Sequence, residues 1–238
     1  MSAMTIGKMA LSLNRKLIKN LHISVLPPDG KVRVSAPNHL SDAAIRMAVV
    51  SKIPWIKKQQ AEFASQARES AREMVTGETH YVWGKRLRLE VVTVSGKQQL
   101  KKQGASKLKL AVNPDATVSK KQALLTEWYR DQLKEAIPRL LVKWERKLGV
   151  KASSWGVKKM KTKWGSCNTQ RQSIWLNLDL AKKPPECLEF ILVHELVHLL
   201  ERSHNERFKS YMDKFLPDWR ERRALLNRMP LAHENWQY

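Results

Sequence analysis

A chain of 238 residues, 42% hydrophobic and 28% charged, has the apolar content to bury one large core or two small ones. It contains no run of about twenty apolar residues, which excludes a transmembrane helix, and its opening MSAMTIGKMALSLNRKLIKN lacks the features of a signal peptide, so the expected location is the cytoplasm. With 44 Lys and Arg against 22 Asp and Glu the net charge is +22, a surface that repels itself unless polyanions or counterions are near, and two widely spaced cysteines exclude a disulfide framework.

In chain order, HISVL at residues 22–26 and KVRVSA at 31–36 alternate in character about PPDG and predict a hairpin that opens a first sheet. Ser41 is placed to cap a helix over residues 43–50; Pro54 interrupts or restarts it, and residues 55–73 continue as a charged amphipathic helix. YVWGKRLRLEVVTV predicts a second hairpin about Gly84 and Lys85, with KLKLAV at 107–112 as its neighbour. Residues 119–148 read as one long helix kinked at Pro138 and ended by Gly149. SWGVKKMK at 154–161 and SIWLNLDL at 173–180 read as strands paired across the polar turn GSCNTQRQ. A helix over 185–200 follows, then two more at about 206–215 and 218–227. No segment of the sequence repeats another.

The chemistry concentrates in FILVHELVHLLERSHNERF, residues 190–208. On a helix His194 and His198 project from one face about one turn apart, within reach of one metal ion. Glu195, one residue past the first His, reaches a metal-bound water as general base, the mechanical content of an H-E-x-x-H motif. Pro184 and Pro185 suit the first turn, and Leu188, Ile191, Leu192, Leu196 and Leu199 make the helix apolar and buried. Two imidazoles and a carboxylate buried there are costly unless something satisfies them, and a metal with its water does so. The competing reading is a surface helix with solvated histidines.

His204, six residues past His198 and beyond the polar run Glu201, Arg202, Ser203, is the expected third ligand. Three His with an open fourth position make a catalytic site, since structural zinc is closed by four protein ligands. The competitors are Glu221 as a carboxylate ligand from a later helix, or His204 as a cap of the helix C-terminus. Metzincins need a Gly between the second and third His, which this chain lacks. Cys167 and Cys187 lack CxxC spacing; Cys167 reads as a packed thiol rather than an extra metal contact.

The runs KWGSC at 163–167, SIWLNLDLAKKPPECLEFILVHELVHLLERSHNERF and PDWRERRALL at 217–226, with VRVSAPNHLSDAAI, SKIPWIKKQ and YVWGKRLRLEV upstream, resemble the YgjP-like zinc metallopeptidase family, related to SprT-like and WLM proteases. The resemblance covers nearly the whole chain. It implies zinc (Zn2+) on His194, His198 and His204, with Glu195 catalytic. Ser203 departs from the Asn common before the third His, a change expected to leave ligation intact.

The expected fold is α+β: a zincin-like C-terminal catalytic domain, residues 116–238, with the HExxH helix packed on a small antiparallel sheet and a long leading helix, preceded by an N-terminal domain of hairpins and a helix, residues 1–115. The hairpin over 155–180 is the expected wall of the substrate cleft, where an extended peptide adds to an edge strand. Tyr211, Asn205 and Lys or Arg near the cleft are candidates for stabilising the oxyanion. The expected function is a zinc metallopeptidase with a polypeptide substrate. The basic surface, interleaved with Trp55, Trp83, Trp155, Trp164 and Trp219, makes nucleic acid a candidate partner. A zinc hydrolase of nucleotides or phosphorylated small molecules, and a binding module with a structural zinc, are the other classes; an intact Glu195 argues against the last.

Overall fold

The computed structural model describes residues 2–7, 9–26, 30–65, 72–160 and 163–228. Contacts divide the chain into two compact units at residues 69–70. The division expected at 115–116 falls inside the second unit, because the strands before it share one core with the helices after it: Leu89 and Leu108 belong to the same cluster as Leu133 and Leu192.

The first unit holds β1 (Ser2–Ile6), β2 (Met9–Lys16), β3 (His22–Leu26) and β4 (Lys31–Pro37), then α1 (Asp42–Ser51) and α2 (Ile53–Ser65). The hairpin expected about PPDG is β3 and β4, with Leu26 opposite Lys31. It is not the first of its sheet: β1 and β2 pair with each other, β2 runs parallel to β4, and the order is β1-β2-β4-β3. Period-2 alternation puts Leu11, Leu13, Val32, Val34 and Ala36 inward against Ile45, Val49 and Ile56 of the helices. Ser41 caps α1, its side chain accepting from the Ala44 N–H at 3.2 Å. Pro54 sits in the first turn of α2, where its missing N–H costs nothing.

The second unit begins with β5 (Thr79–Val82), β6 (Lys85–Thr93), β7 (Gln99–Gln103) and β8 (Lys107–Val112), in the order β5-β6-β8-β7 with β6 parallel to β8. This repeats the order and strand directions of the first sheet, a repetition that the sequence reading did not find. The turn of the β5–β6 hairpin is Trp83 and Gly84, both at positive φ (49° and 78°), as a two-residue hairpin loop requires. α3 (Val118–Leu148) follows, capped by Thr117 and closed by Gly149 in the left-handed region, φ 69°. Leu125, Tyr129, Leu133, Ile137, Leu141, Trp144 and Leu148 form its buried stripe, while Pro138 lies on the exposed side, where the carbonyl it frees can meet water.

A three-stranded sheet comes next: β9 (Ser154–Lys158), β10 (Gly165–Asn168) and β11 (Ser173–Asn177), ordered β10-β11-β9. The pairing expected between the first and third of these is therefore corrected. They do lie side by side, but parallel, and the hairpin partner of β11 is β10, formed from GSCN, which small polar residues had disguised as turn. The sheet is mixed rather than antiparallel. Residues 178–180, expected as the end of a strand, belong instead to a 3-10 turn, Leu178–Lys182, capped by Asn177. The end of the chain is helical: α4 (Pro185–Val197), α5 (Glu206–Phe215) and α6 (Trp219–Arg228). No described helix is long and apolar enough to cross a membrane.

Candidate metal centre

α4 carries the H-E-x-x-H residues and is apolar all round, with Leu188, Phe190, Ile191, Leu192, Val193, Leu196 and Val197 buried. Pro185 opens it and Glu186 meets its positive end. It closes at His198 through tight bonds, Leu199 N–H to Leu196 O at 3.0 Å and Leu200 N–H to Val197 O at 2.9 Å. That turn brings the chain back so that His204 precedes Asn205, the cap of α5, whose side chain accepts from the Phe208 N–H at 3.0 Å. Caps on both sides thus fix the short segment that carries the third imidazole.

His194, His198 and His204 converge: each offers a ring nitrogen, and these lie within 4.8 Å of one another. The Nε2 atoms of His194 and His204 stand 2.9 Å apart. His198 places Nδ1 3.2 Å from the Glu201 carbonyl, so the tautomer that donates there leaves Nε2 free as an acceptor. Phe208, 3% exposed, lies against all three rings with centroids 4.8 to 4.9 Å away. Burial, reinforced by His198, His204 and Arg223, pushes His194 down to about 3, and burial also holds His198 below the ordinary imidazole range. Three converging imidazole nitrogens, one backed by a carbonyl acceptor, are the donor set a divalent transition metal takes.

Glu195 is 5% exposed, and burial pushes its carboxyl up to about 7 against the opposing charge of Lys163. The backbone of β10 runs directly over it: a Cβ on Gly165 would lie 2.5 Å from Glu195 Oε1. Asn177 holds that approach, donating from Nδ2 to Met160 O at 2.9 Å and Lys163 O at 2.8 Å while its N–H meets Trp164 O at 2.9 Å. Gly165, Asn177 and Phe208 are site residues that the sequence reading missed. The signal for Gly165 lies in KWGSC, one of the runs that carry the family resemblance.

A cleft of about 940 Å³ opens over the three histidines and Glu195, walled by residues 163–170 on one side and by Trp219, Arg223, Leu226 and Asn227 of α6 on the other. Cys167 lines it with its thiol pushed up to about 11 by burial and by Glu195, and stands apart from the imidazole cluster. Glu221, the alternative third ligand, is exposed and lies neither in that cluster nor in the cleft wall. Tyr211 and Asn205 are outside the wall too: the Tyr211 hydroxyl accepts from Arg207 at 3.2 Å, and Asn205 is occupied in capping. Lys163, Arg202, Lys209 and Arg223 do line it.

The model of the family described as "YgjP-like, metallopeptidase domain" matches residues 19–229. The chain belongs to the YgjP-like metallopeptidase family. No curated protein matches it. Among solved structures it is similar to the crystal structure of the metallopeptidase zymogen of Pyrococcus abyssi abylysin, at 22% identity and a TM-score of 0.35, over 40% of this chain and 99% of that one. The YgjP-like match runs from β3 through α6 and so takes in both units as well as the imidazole cluster.

Proposed function

We propose that this YgjP-like protein is a zinc peptidase in which His194, His198 and His204 hold the metal and Glu195 is the general base. The observation that carries the reading is the convergence of three imidazoles beside a buried carboxyl. Zinc, when bound, supplies a Lewis acid and acidifies a coordinated water. Glu195 takes the proton of the attacking water as the C–O bond forms. It then delivers that proton to the amine as the C–N bond breaks. β10 pairs with β11 on one side only among the described residues, so its other edge can take an extended polypeptide by strand addition. Gly165 keeps that edge close to Glu195.

The test is metal analysis beside hydrolysis of casein by the zinc-loaded protein. Glu195→Gln should retain one zinc per chain and lose at least a hundredfold in kcat; Gly165→Ala should lose activity comparably by displacing the carboxylate. A wild type that spares polypeptides but releases phosphate from nucleotides, with the same dependence on Glu195, would replace this reading by the small-phosphoester one.

A separate observation favours a polyanionic partner. The outward face of the β5–β8 sheet presents Arg86, Arg88, Lys101, Lys107 and Lys109, all exposed, with Glu90 the acidic residue among them. Single-stranded DNA should bind there with an affinity that falls steeply with salt, and reversing Arg88 and Lys109 to Glu should flatten that slope while peptide hydrolysis stays unchanged.

A further inference from the structure

Four cationic side chains, Lys163, Arg202, Lys209 and Arg223, line the metal cleft, against the single carboxylate of Glu195. They come from separate places: the entry to β10, the loop after α4, α5 and α6. Lys209 reaches Glu206 at 2.6 Å. Lys163, Arg202 and Arg223 form no ion pair with any described carboxylate, and all three are exposed. The contrast within α6 is instructive. Arg222 is committed to Glu189 at 2.6 Å and Asp218 at 2.8 Å, and Arg220 is paired with Asp213, while Arg223, their neighbour, turns to the cleft unneutralised.

Exposed, unpaired cations around the cleft favour an anionic ligand over a cationic one. The rest of the lining contributes no acidic side chain. Trp219, half-buried at the wall, adds apolar surface, which a phosphate backbone does not need and a polypeptide does.

Resting on the peptidase reading, we propose that the cleft selects polypeptides with Asp or Glu side chains flanking the scissile bond, and that Lys163, Arg202 and Arg223 are the residues that read them. An extended chain advances about 3.3 Å per residue, so side chains within two or three residues of the cleaved bond stay within about 10 Å of it, the range over which the charges lining the cleft are felt. Charge of this kind sets specificity by favouring one sign and repelling the other.

The experiment uses three labelled peptides, identical except for Glu, Gln or Lys at the two positions on either side of a central bond. Binding is read by fluorescence anisotropy on Glu195→Gln protein, metal-free and zinc-loaded, so that affinity is measured without turnover; the same peptides are then offered to the wild type. The Glu peptide should bind at least about tenfold more tightly than Gln, and Lys more weakly still. Arg223→Glu combined with Arg202→Glu should invert that order, while Arg223→Gln with Arg202→Gln should shrink it to the share carried by Lys163; both pairs are surface changes whose folding is checked by circular dichroism. Equal binding of the three peptides, or an order unmoved by the reversals, overturns the proposal. So does an oligonucleotide that displaces the Glu peptide and depends more strongly on the same arginines. Tight binding of the Glu peptide, ordered as expected but with no peptide cleaved, upholds charge selection and removes the peptidase reading alone.

Discussion

The two four-stranded sheets follow the same path and differ in what their turns are used for. In each, two hairpins are joined by a parallel pair at the centre, and a helix capped by Ser41 or Thr117 follows. Glycines at positive φ occupy matching turns: Gly7 and Gly84 in the first hairpins, Gly30 and Gly104 at the second. In the first sheet the second of these turns is packed. A Cβ on Gly30 would lie 2.8 Å from Gln60, whose side-chain amide donates to the Gly30 carbonyl, whereas Gly7 has open space. In the second sheet the loading is reversed: Gly104 is open, and a Cβ on Gly84 would lie 2.8 Å from Pro184. Trp83 and Gly84 also donate to the carbonyls of Ala181 and Lys182 at 2.8 and 3.1 Å, which fixes the residues that lead into α4. One scaffold therefore closes on its own helix, while its counterpart holds the start of the helix that bears His194, Glu195 and His198.

That difference predicts the largest effect. Gly84→Ala combines a left-handed backbone, costing about 1 to 2 kcal/mol for an L-residue, with a steric collision, and should destabilise the protein by about 3 kcal/mol in urea unfolding. Because the collision is with Pro184, zinc uptake should weaken as well. Gly7→Ala meets nothing within 4 Å and should show the backbone cost alone with unchanged zinc affinity. Equal losses at the two positions would mean that the β5–β6 turn does not position α4.

How much of this was legible follows from the same comparison. Strands with clean period-2 alternation, KVRVSA and KLKLAV, declare themselves, and so does α3, whose buried residues recur at intervals of three and four and whose ends carry Thr117 and Gly149. The metal helix is legible for a different reason: its chemistry sits at i, i+1 and i+4 in an apolar run, a pattern that needs no tertiary knowledge. What stayed hidden depends on partners remote in sequence. β10 is four residues of small polar character, a strand only because β11 pairs with it. Gly165 matters because of Glu195, thirty positions on, and Phe208 because α5 folds back beneath the imidazoles. The repeated sheet escaped notice because the two copies keep turn glycines and alternation while exchanging the residues between: Ser12, Asn14, Ser24 and Ser35 surround Arg33 on one outward face, and Arg86, Arg88, Lys101, Lys107 and Lys109 stand on the other.

The next effect down is an acid dependence within the second unit. Glu189 on α4 accepts from Lys143 Nζ at 2.7 Å, Trp144 Nε1 at 2.8 Å and Arg222 Nη1 at 2.6 Å, tying α3 and α6 to the metal helix. Despite burial, these bonds draw its carboxyl down to about 2 from an ordinary 4.5. A depressed carboxylate stabilises the folded state above the unfolded pKa and loses that contribution as pH falls toward the folded value. Glu189→Gln should therefore cost about 2 kcal/mol at pH 7, and the two proteins should converge as the pH approaches 2.5. A constant difference across that range would show that the loss is packing rather than charge.

Glu195 has the opposite sign and a smaller effect. Its carboxyl is raised to about 7, so in metal-free protein the favourable contribution is complete below about 4.5 and is lost as pH rises through 7. Glu195→Gln should then stabilise the metal-free protein by up to about 2 kcal/mol at pH 8 and by almost nothing at pH 4.5, read as a rise in Tm of several degrees at the higher pH only. A gain that is the same at both pH values would assign it to the amide's own contacts and not to release of a buried charge.

The smallest prediction tests whether the two copies are equivalent where nothing else is attached. Ser41 and Thr117 each accept from the backbone N–H three residues on, at 3.2 Å in both cases. Ala at either position leaves that N–H to water and should cost about 1 kcal/mol. Zinc affinity should not move in either variant. If Thr117→Ala lowered zinc affinity while Ser41→Ala did not, the start of α3 would have to be coupled to the metal helix through the buried stripe from Leu125 to Leu148, in addition to the ties that Lys143 and Trp144 make to Glu189.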